Sequence, residues 1–358
     1  MGRRVPDLVP AHRLLVRVLV CQPGPAFSVK DVYNGWVGGL RANGVEIIEY
    51  PFEDRLWAAQ HFHLQHEDKW LPAFPFEAAV QYALEPLGSW IYETQPDLVL
   101  FVTGFWIRVA PLELIRQRGT NVAVLFTESP YEDDVQLERA AHLDACVVND
   151  PTNLERFLEL CEHTIYLPHS YNPALHAPGP AHDDKRSDLC IVGTGFPSRV
   201  RFLERMGLDG LDVALLGNWK TLEDHDLRRY VRGELDACLD NRDTVDWYRS
   251  TRASLNLYRR ESNRPELSAG WSMGPREVEL AATGTFFLTE ARGENSQVLP
   301  MVPKVADPED AGEQLRWWLA HDRERAQVVV DARRAIAGWT FENRAAEFLR
   351  LVDKIPAR

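Results

Sequence analysis

The chain has 358 residues, of which 45% are hydrophobic and 26% are charged. This composition is typical of a folded globular protein, excludes a disordered or repetitive chain, and at this length predicts about two domains. The formal net charge of −13 is shared unevenly, because residues 1–180 carry 13 Lys and Arg against 23 Asp and Glu, whereas residues 181–358 carry 27 against 30. An acidic first half disfavours binding to a nucleic-acid backbone, so we expect an anionic nucleotide to bind to the second half.

Membrane insertion, secretion and disulfide bonding are not predicted. No apolar run approaches the ~20 residues that span a bilayer. The basic N-terminus lacks a small-residue cleavage site and Arg17 interrupts its apolar stretch, so we predict a core strand over residues 14–21 rather than a signal peptide. The five cysteines are scattered and form no Cys-x-x-Cys pair, which argues against a disulfide framework or a thiolate zinc site. A cytoplasmic protein is expected on these grounds.

Short strands of buried type alternate with helical segments through the first half. The helical segment 29–42 follows the first strand, and the mixed, Trp-rich stretch 51–95 is interpreted as helices over the sheet. Such alternation is typical of βαβ units and a parallel sheet. The predicted strands are residues 15–21, 45–50, 97–102, 122–126, 145–148 and 164–167.

The pattern pauses at residues 172–187, a Pro-rich polar stretch that we interpret as an interdomain linker. It then restarts with strands at 189–192, 213–216, 253–257, 285–288 and 302–305, followed by helices at 308–320, 323–336 and 341–353. The sequence therefore predicts an α/β protein with two Rossmann-like, doubly wound domains that face each other across a cleft, where such sheets bind ligands. We place the N-terminal domain at 1–175, the C-terminal domain at 186–338 and a terminal helix at 339–358.

The pattern restarts with a strand that runs directly into glycines, Asp188-Leu-Cys-Ile-Val-Gly-Thr-Gly-Phe-Pro-Ser-Arg199. Glycines let the backbone approach a phosphate, and the N-terminus of the following helix offers free N–H groups and a favourable dipole. Because Ser198 stands where the dinucleotide fingerprint has its third glycine, a tight turn without ligand is the alternative. The candidate donor-binding residues of this segment are Gly193, Thr194, Gly195 and Arg199.

A second motif precedes the strand predicted at 285–288. It runs Met273-Gly-Pro-Arg-Glu-Val-Glu-Leu-Ala-Ala-Thr-Gly284 and predicts a short helix with Gly284 as its C-cap. Arg276 and Glu279 are three residues apart and share one face of that helix. A guanidinium suits a diphosphate and a carboxylate suits two ribose hydroxyls, although the same pair would equally form a surface ion pair.

Five segments in the same order resemble the GT-B glycosyltransferases, and in particular the spore-maturation CgeB-like group. The resemblance covers nearly the whole chain. Residues 188–199 resemble that group's entry into the second domain, and residues 276–284 resemble its donor motif, with Val278 in place of the usual Phe. The other three segments are Tyr166-Leu-Pro-His-Ser-Tyr-Asn-Pro173 with His176, Ala-Leu-Leu-Gly-Asn-Trp at 214–219 and Ser-Leu-Asn-Leu-Tyr at 254–258.

The resemblance implies a nucleotide sugar bound by the C-terminal domain and a last helix, about 341–354, that packs back on the N-terminal domain. Glu279 matches the glutamate that retaining GT-B enzymes place on the donor ribose, and Gly284 matches the glycine five residues later. Glu294 lies in a loop that resembles one approaching the sugar. Trp271 departs from the E-x7-E pattern of the large retaining family, which has a glutamate there, and this weakens the case for a retaining mechanism.

Two residues of the first half are catalytic candidates. Glu128 lies in Phe126-Thr-Glu-Ser-Pro130, where the resembling group has Asp, and would position an acceptor hydroxyl or act as a general base. A helix-capping or surface acid is the alternative. His169, in the turn where the first domain ends, would contact donor or acceptor, and a structural histidine of the hinge is the alternative.

No metal and no cofactor are predicted. His61, His63 and His66 are spaced by two and three residues, which fits neither one helix face nor a second ligand cluster nearby. The acidic pairs 133–134 and 183–184 do not form the D-x-D signature with which GT-A enzymes hold a divalent ion. A helix dipole and an arginine are expected to stabilise the leaving diphosphate instead.

We therefore expect a glycosyltransferase that moves a hexosyl or pentosyl group from a UDP- or GDP-linked sugar to a hydroxyl. The acceptor is open among proteins, glycans and small molecules, and the acidic first half disfavours a modified DNA base. One alternative is a nucleotide-sugar epimerase or isomerase of the same fold, which would not release free nucleotide in response to an acceptor. The other is an inactive module that binds a nucleotide sugar without turnover, which Trp271 favours.

Overall fold

The computed structural model describes residues 17–24, 27–66, 69–72, 74–261 and 270–356. Residues 1–16, which include the start of the predicted first strand and the stretch considered as a signal peptide, lie outside this set, as does the side chain of His66. Within the described ranges, no helix combines the length and the apolar character that crossing a bilayer requires.

The first half of the chain forms a parallel sheet of six strands. Its strands are β1 (Arg17–Cys21), β2 (Glu46–Tyr50), β5 (Leu98–Val102), β6 (Asn121–Leu125), β7 (Ala145–Val148) and β8 (Thr164–Tyr166), and an antiparallel hairpin of β3 (His63–His66) and β4 (Lys69–Pro72) lies outside it. The helices are α1 (Phe27–Ala42), α2 (Phe52–His61), α3 (Phe76–Leu84), α4 (Leu87–Thr94), α5 (Val109–Gln117), α6 (Asp133–Ala140) and α7 (Leu154–Leu160). The spatial order is β2-β1-β5-β6-β7-β8.

The second half forms a parallel sheet of five strands in the order β10-β9-β11-β12-β13. The strands are β9 (Leu189–Val192), β10 (Val213–Leu216), β11 (Ser254–Asn256), β12 (Phe287–Glu290) and β13 (Lys304–Val305). The helices are α8 (Pro197–Arg205), α9 (Asn241–Ser250), α10 (Pro275–Thr283), α11 (Gly293–Val298), α12 (Pro308–Ala320), α13 (Asp322–Ala335) and α14 (Phe341–Val352). Short 3-10 turns lie at Asp183–Lys185, Lys220–Leu222 and Asp226–Tyr230.

Both sheets are covered on both faces, which explains why their strands read as continuous apolar runs. Successive side chains of a strand point to opposite faces. In β1, Val18 and Val20 belong to the core beneath α1 and α14, whereas Leu19 and Cys21 belong to the core on the other face. The prediction of two Rossmann-like α/β domains is confirmed.

The predicted strands reappear with shifted ends, and the shift of one of them has a local cause. The strand expected at 285–288 begins at Phe287. Gly284 adopts a left-handed conformation that ends α10, and the N–H of Thr285 donates back to the carbonyl of Leu280 at 3.0 Å. The Thr285 hydroxyl donates to the carbonyl of Tyr248 at 2.8 Å. These residues therefore close the helix before the strand can start.

Each sheet has one position where the chain order of its strands reverses, between β1 and β5 in the first and between β9 and β11 in the second. Helices leave such a position on opposite faces, so a crevice opens at the carboxyl ends of the two strands. Both sheets therefore offer a ligand crevice, and the loops that follow β6, β7, β8, β9 and β10 line one shared cavity.

Helix α14 packs against α1 of the first sheet through glycines. A Cβ placed on Gly35 would lie 2.3 Å from the ring of Phe341, and one placed on Gly39 would lie 2.4 Å from the main-chain oxygen of Phe341. The two helices approach this closely only because both positions lack a side chain. Phe341 also lines the cavity, so the docking of α14 shapes the ligand site.

The Gly39→Ala variant is expected to lower the free energy of unfolding by about 1–3 kcal/mol, the usual effect of overpacking a tight contact. Gly38→Ala is the matched control, because a Cβ at Gly38 meets no atom within 4 Å. Alanine in that helix interior should stabilise the protein by roughly 0.5–1 kcal/mol. Urea denaturation of both variants measures the difference, and effects of the same sign would contradict this packing.

Candidate functional site

A cavity of about 610 Å³ lies between the two sheets at the carboxyl ends of their strands. The first domain contributes residues from α1 and from the ends of β6, β7 and β8. The second domain contributes the turns after β9 and β10 and the amino-terminal parts of α9 and α10. The cavity is therefore the cleft expected between two doubly wound domains.

The turn after β9 brings main chain rather than side chain to the cavity. Gly193 has φ +151° and donates its N–H to the carbonyl of Leu216 at 2.8 Å. A Cβ on Gly217, in the turn after β10, would lie only 2.5 Å from the Gly193 carbonyl oxygen. The two turns thus pack backbone against backbone, and Gly193 and Thr194 line the cavity.

Gly195 has a different role from Gly193, although the sequence grouped them. It does not belong to the cavity lining. A Cβ there would come within 2.5 Å of the indole of Trp219, a fully buried side chain whose ring N–H donates to the carbonyl of Leu216 at 2.9 Å. The packing of Trp219 requires a glycine at position 195. The sequence motif alone does not distinguish this reason from a glycine that lets a phosphate approach the backbone.

Two guanidinium groups converge on Gly193. A Cβ placed on that glycine would lie 3.0 Å from Nη1 of Arg276 and 3.2 Å from Nη1 of Arg199. Arg199 donates to the carbonyls of Leu257, at 2.7 and 3.0 Å, and of Thr194, at 2.9 Å. Burial and the neighbouring charge of Arg276 lower the pKa of Arg199 to about 10. Two adjacent cations beside a bare glycine turn form an environment suited to a multiply charged anion.

Helix α10 carries both residues of the second motif. Arg276 donates from Nε to the hydroxyl of Tyr248 at 3.0 Å, and Glu279, one turn later, lines the same cavity. Asn241 approaches the Glu279 carboxylate, with its amide nitrogen 3.5 Å from Oε1. The alternative of a surface ion pair is not what the structure shows: Arg276 bonds to Tyr248, the charge of Glu279 acts on it at longer range, and both residues face the cavity. Gly284 ends α10 at φ +82° and lies outside the cavity lining.

Glu294 is buried outside the cavity lining and joins the two domains. Its carboxylate accepts hydrogen bonds from the hydroxyl of Tyr166, in β8, and from the N–H of Met273 at 2.8 Å. Burial raises the pKa of Glu294. Asp150, which follows β7, accepts from the N–H of Ser272 at 2.8 Å. The segment that leads into α10 is thus held by carboxylates from both domains, and Glu294 acts on this segment rather than on the cavity.

Trp271 occupies the place where the large retaining family has its first glutamate, and its ring is held from two sides. It meets the ring of Tyr166 edge to face at 6.3 Å, and a Cβ on Gly293 would lie 2.0 Å from its indole nitrogen. The nearby Glu277 does not replace that glutamate, because its buried carboxylate is used by Gly274, Thr289, Asn295 and Tyr258.

The two catalytic candidates of the first domain differ in position. His169 lines the cavity, and its Nε2 lies 3.2 Å from the amide nitrogen of Asn149. Burial lowers the pKa of His169 to about 4, so its imidazole is neutral at pH 7. Glu128 lies beside the cavity, next to the lining residue Thr127. Burial raises the pKa of Glu128, whereas Arg259 of the second domain lowers it. The Glu128 carboxyl therefore lies within electrostatic range of the second domain.

The structure adds two lining residues that motif reading passed over as site residues. Asp31 faces the cavity from α1, and burial together with Glu279 and Asp240 raises the pKa of its carboxyl to about 6. His176 is buried, and its Nδ1 accepts from the N–H of Asn172 at 3.2 Å. The signal for Asp31 was its position: it lies in the helix that follows β1, at the ligand edge of a doubly wound sheet.

The histidine cluster of the first domain makes local contacts. His61 contacts the carbonyl of Trp57 at 2.9 Å, and His63 contacts the carbonyl of His61 at 2.8 Å. Across the part of the chain that the structure describes, no group of three or more potential metal ligands comes together.

Residues 199–350 match a protein family described as Glycosyl transferase-like. No curated protein sequence matches the chain. The solved structure of sucrose-phosphate synthase from Thermosynechococcus elongatus is similar, with a TM-score of 0.63 at 12% identity over 94% of this chain and 98% of that chain. The structure of trehalose-6-phosphate synthase OtsA is similar with a TM-score of 0.62 at 13% identity, over 96% of this chain and 100% of that chain. The structure of an α-glucosyltransferase in complex with UDP has a TM-score of 0.62 at 9% identity, over 94% of this chain and 99% of that chain.

These similarities confirm the predicted GT-B fold. Identities this low show the fold alone, but the family match covers most of the second domain, and together the two findings support a GT-B glycosyltransferase. The matched segment begins at Arg199 and contains Arg276 and Glu279.

Asp31→Asn is expected to raise the melting temperature of the ligand-free protein at pH 8, with a smaller effect at pH 5. The pKa of this carboxyl is about 6 in the fold and about 3.9 in an unfolded chain. The folded state therefore binds the proton more tightly, and stability is lost as the pH rises through this interval. The asparagine side chain does not ionise, so the variant lacks this loss of stability. In the parent protein the loss reaches its full size above a pH of about 6.

Melting curves at both pH values test this expectation, with Asp54→Asn, which replaces an exposed carboxylate of α2, as the control. A decrease for Asp31→Asn at pH 8, or equal shifts at the two pH values, would show that Asp31 is not held against other acids in the cavity.

Proposed function

We propose that the protein transfers a glycosyl group from a nucleoside-diphosphate sugar to an acceptor hydroxyl without a metal ion. The observation that carries this proposal is the convergence of Arg199 and Arg276 on Gly193, in the same cavity as Glu279. A diphosphate fits the two cations, and a ribose fits the carboxylate one helical turn away. The proposed roles of the two arginines and of Glu279 follow from these positions.

Arg199 and Arg276 bind the diphosphate and stabilise the charge that develops on it as it leaves. Such fixed positive groups act most strongly when they are in place before the reaction. Arg199 is fixed by two main-chain carbonyls, and Arg276 by the hydroxyl of Tyr248. In the net reaction, the acceptor oxygen bonds to the anomeric carbon, and the bond from that carbon to the phosphate oxygen breaks with its electron pair leaving on the diphosphate.

Glu279 accepts hydrogen bonds from the ribose hydroxyls, and Asn241 orients its carboxylate. From its position beside the cavity, Glu128 takes the proton of the acceptor hydroxyl, a role supported by the burial that raises the pKa of its carboxyl. His169, neutral at pH 7, hydrogen-bonds the acceptor or the transferred sugar.

The finer assignments are proposals of the same kind. A hexosyl or pentosyl donor linked to UDP or GDP is proposed, and the similar α-glucosyltransferase carries UDP. Membership of the CgeB-like group rests on the five segments named from the sequence. The anomeric configuration of the product, determined by NMR, decides between retention and inversion. This measurement is needed because Trp271 stands where the large retaining family has a glutamate.

Nucleoside diphosphates are expected to raise the melting temperature, since a ligand at one hundred times its Kd stabilises a protein by about 2.7 kcal/mol. UDP, GDP, ADP and dTDP are compared with and without EDTA.

Glu279→Gln should weaken nucleotide binding by about 1–3 kcal/mol, and Arg276→Ala should lower kcat more than it raises KM. The control is Arg205→Ala on α8, which removes only an exposed pair with Glu309.

The outcomes of this screen separate the alternatives. No shift with any nucleotide would overturn the donor site, and a shift abolished by EDTA would overturn metal independence. Binding without release of nucleoside diphosphate in the presence of any acceptor would indicate an inactive module. Conversion of the nucleotide sugar into an isomer would indicate an epimerase.

Glu128→Gln is expected to lower the transfer rate by about 10²–10⁴-fold, the usual contribution of a general base, and to leave nucleotide affinity unchanged. The rate in the parent protein should fall as the pH decreases through the raised pKa of Glu128, and the variant should lack this dependence. Transfer rates and nucleotide melting shifts are measured on the same samples, with Glu138→Gln, an exposed change on α6, as the control. Loss of nucleotide binding in Glu128→Gln would refute the division of roles between the domains.

A further inference from the structure

The first-domain wall of the cavity, composed of residues from α1 and from the ends of β6, β7 and β8, differs in charge from the opposite wall. Among the described lining residues, its single ionised side chain is Asp31, and it carries no Lys or Arg. The cations of the cavity, Arg199, Arg242 and Arg276, all come from the second domain. An acceptor bearing a phosphate would therefore meet no positive charge on the wall that faces the donor.

The same wall is rich in neutral groups that both donate and accept hydrogen bonds. Amides, hydroxyls and neutral imidazoles match sugar hydroxyls, which also donate and accept. These residues are Asn34, Thr127, Asn149, His169, Asn172 and His176.

Hydrogen bonds within the wall fix the tautomers of its two histidines. The carbonyl oxygen of the Asn149 side chain accepts from the N–H of Ser129 at 2.9 Å, so its amide nitrogen is the group that donates to Nε2 of His169. The proton of neutral His169 is therefore on Nδ1. In His176, Nδ1 accepts from the main chain of Asn172, so Nε2 carries the proton.

Two polar atoms of this wall are buried without a partner. They are Nε2 of His176, a side chain that is only 4% exposed, and Oγ1 of Thr127, which follows β6. Both atoms are closed to solvent, so a ligand in the cavity does not reach them in this arrangement. The wall groups that a ligand reaches are the exposed amide of Asn34 and the Nδ1–H of His169.

We propose that the acceptor is a neutral, polyhydroxylated molecule of the sugar class, bound to the first-domain wall through the exposed amide of Asn34 and the Nδ1–H of His169. This proposal rests on the proposed glycosyl transfer. The acceptor hydroxyl attacks the anomeric carbon of the donor, its proton passes to Glu128, and the nucleoside diphosphate leaves. Phosphorylated sugars and nucleic acids are disfavoured by the absence of a cation on the described part of this wall and by the charge of Asp31.

The test compares matched acceptors with the donor whose nucleoside diphosphate raises the melting temperature. Methyl glucoside, methyl galactoside and methyl mannoside are each assayed beside the corresponding sugar 6-phosphate, a primary alcohol and a hydroxymethylated oligonucleotide. Release of nucleoside diphosphate and the mass of the product are measured. At least one neutral glycoside is expected to accelerate release tenfold or more over hydrolysis, and to exceed its 6-phosphate. Preference for any of the other three classes overturns the proposal.

Asn34→Ala supplies a second measurement. The side chain is exposed on α1 and lines the cavity, so alanine should leave the fold intact while raising the glycoside KM about fivefold or more. Gln117→Ala, an exposed change on α5 outside the cavity, is the control. An unchanged glycoside KM in Asn34→Ala refutes the role of this wall. Because the nucleotide melting shift is recorded for every variant, failure of the acceptor proposal is distinguishable from failure of the donor site.

Discussion

The arrangement of the cleft depends on holding two guanidinium groups side by side. Arg199 and Arg276 repel each other, and the pKa of Arg199 is lowered by burial and by this neighbour. The direct partners of Arg199 are main-chain carbonyl oxygens rather than carboxylates. Arg199 therefore keeps its positive charge available to an anion, whereas the charge of Arg276 is partly balanced by Glu279. Gly193 favours this arrangement, because a Cβ there would crowd both guanidinium groups.

A second constraint fixes the helix that carries Arg276 and Glu279. Asp150 and Tyr166 belong to the first domain, and both bond Ser272, just ahead of α10. Glu294 accepts from Tyr166 and from Met273, so the same segment is held from its own domain as well. Since these bonds are buried and involve carboxylates, breaking one leaves an unsatisfied charged or polar group, which is strongly unfavourable. The position of α10 relative to the first domain is thereby set by hydrogen bonds, and separation of the domains would move Arg276 and Glu279.

The sequence predicts the two sheets and the cluster of Gly193, Arg276 and Glu279 because these features are local: apolar runs, a glycine turn and a helix start. It does not separate Gly193 from Gly195, since the difference is the contact of Gly195 with Trp219, 24 residues away. Asp31 also escapes motif reading, because a single acid in a helix resembles a solvent-facing residue until the second domain is placed opposite it. Glu294 was expected to approach the sugar, but its burial with Tyr166 depends on a contact between domains that no local pattern encodes.

Charge summed over each half of the chain is a poor guide to charge inside the cleft. The first half is strongly acidic, yet its wall of the cavity is nearly neutral, and the second half is mildly acidic but supplies all the lining cations among the described residues. Exposed charges are screened over about 8 Å at physiological salt, whereas partly buried groups are screened much less. An anion in the cavity therefore responds chiefly to Arg199 and Arg276, and the acidic exterior contributes little to its binding. By the same reasoning, the charge of Asp31 acts more strongly on a bound ligand than an exterior charge does, because Asp31 lies inside the cleft near Glu279.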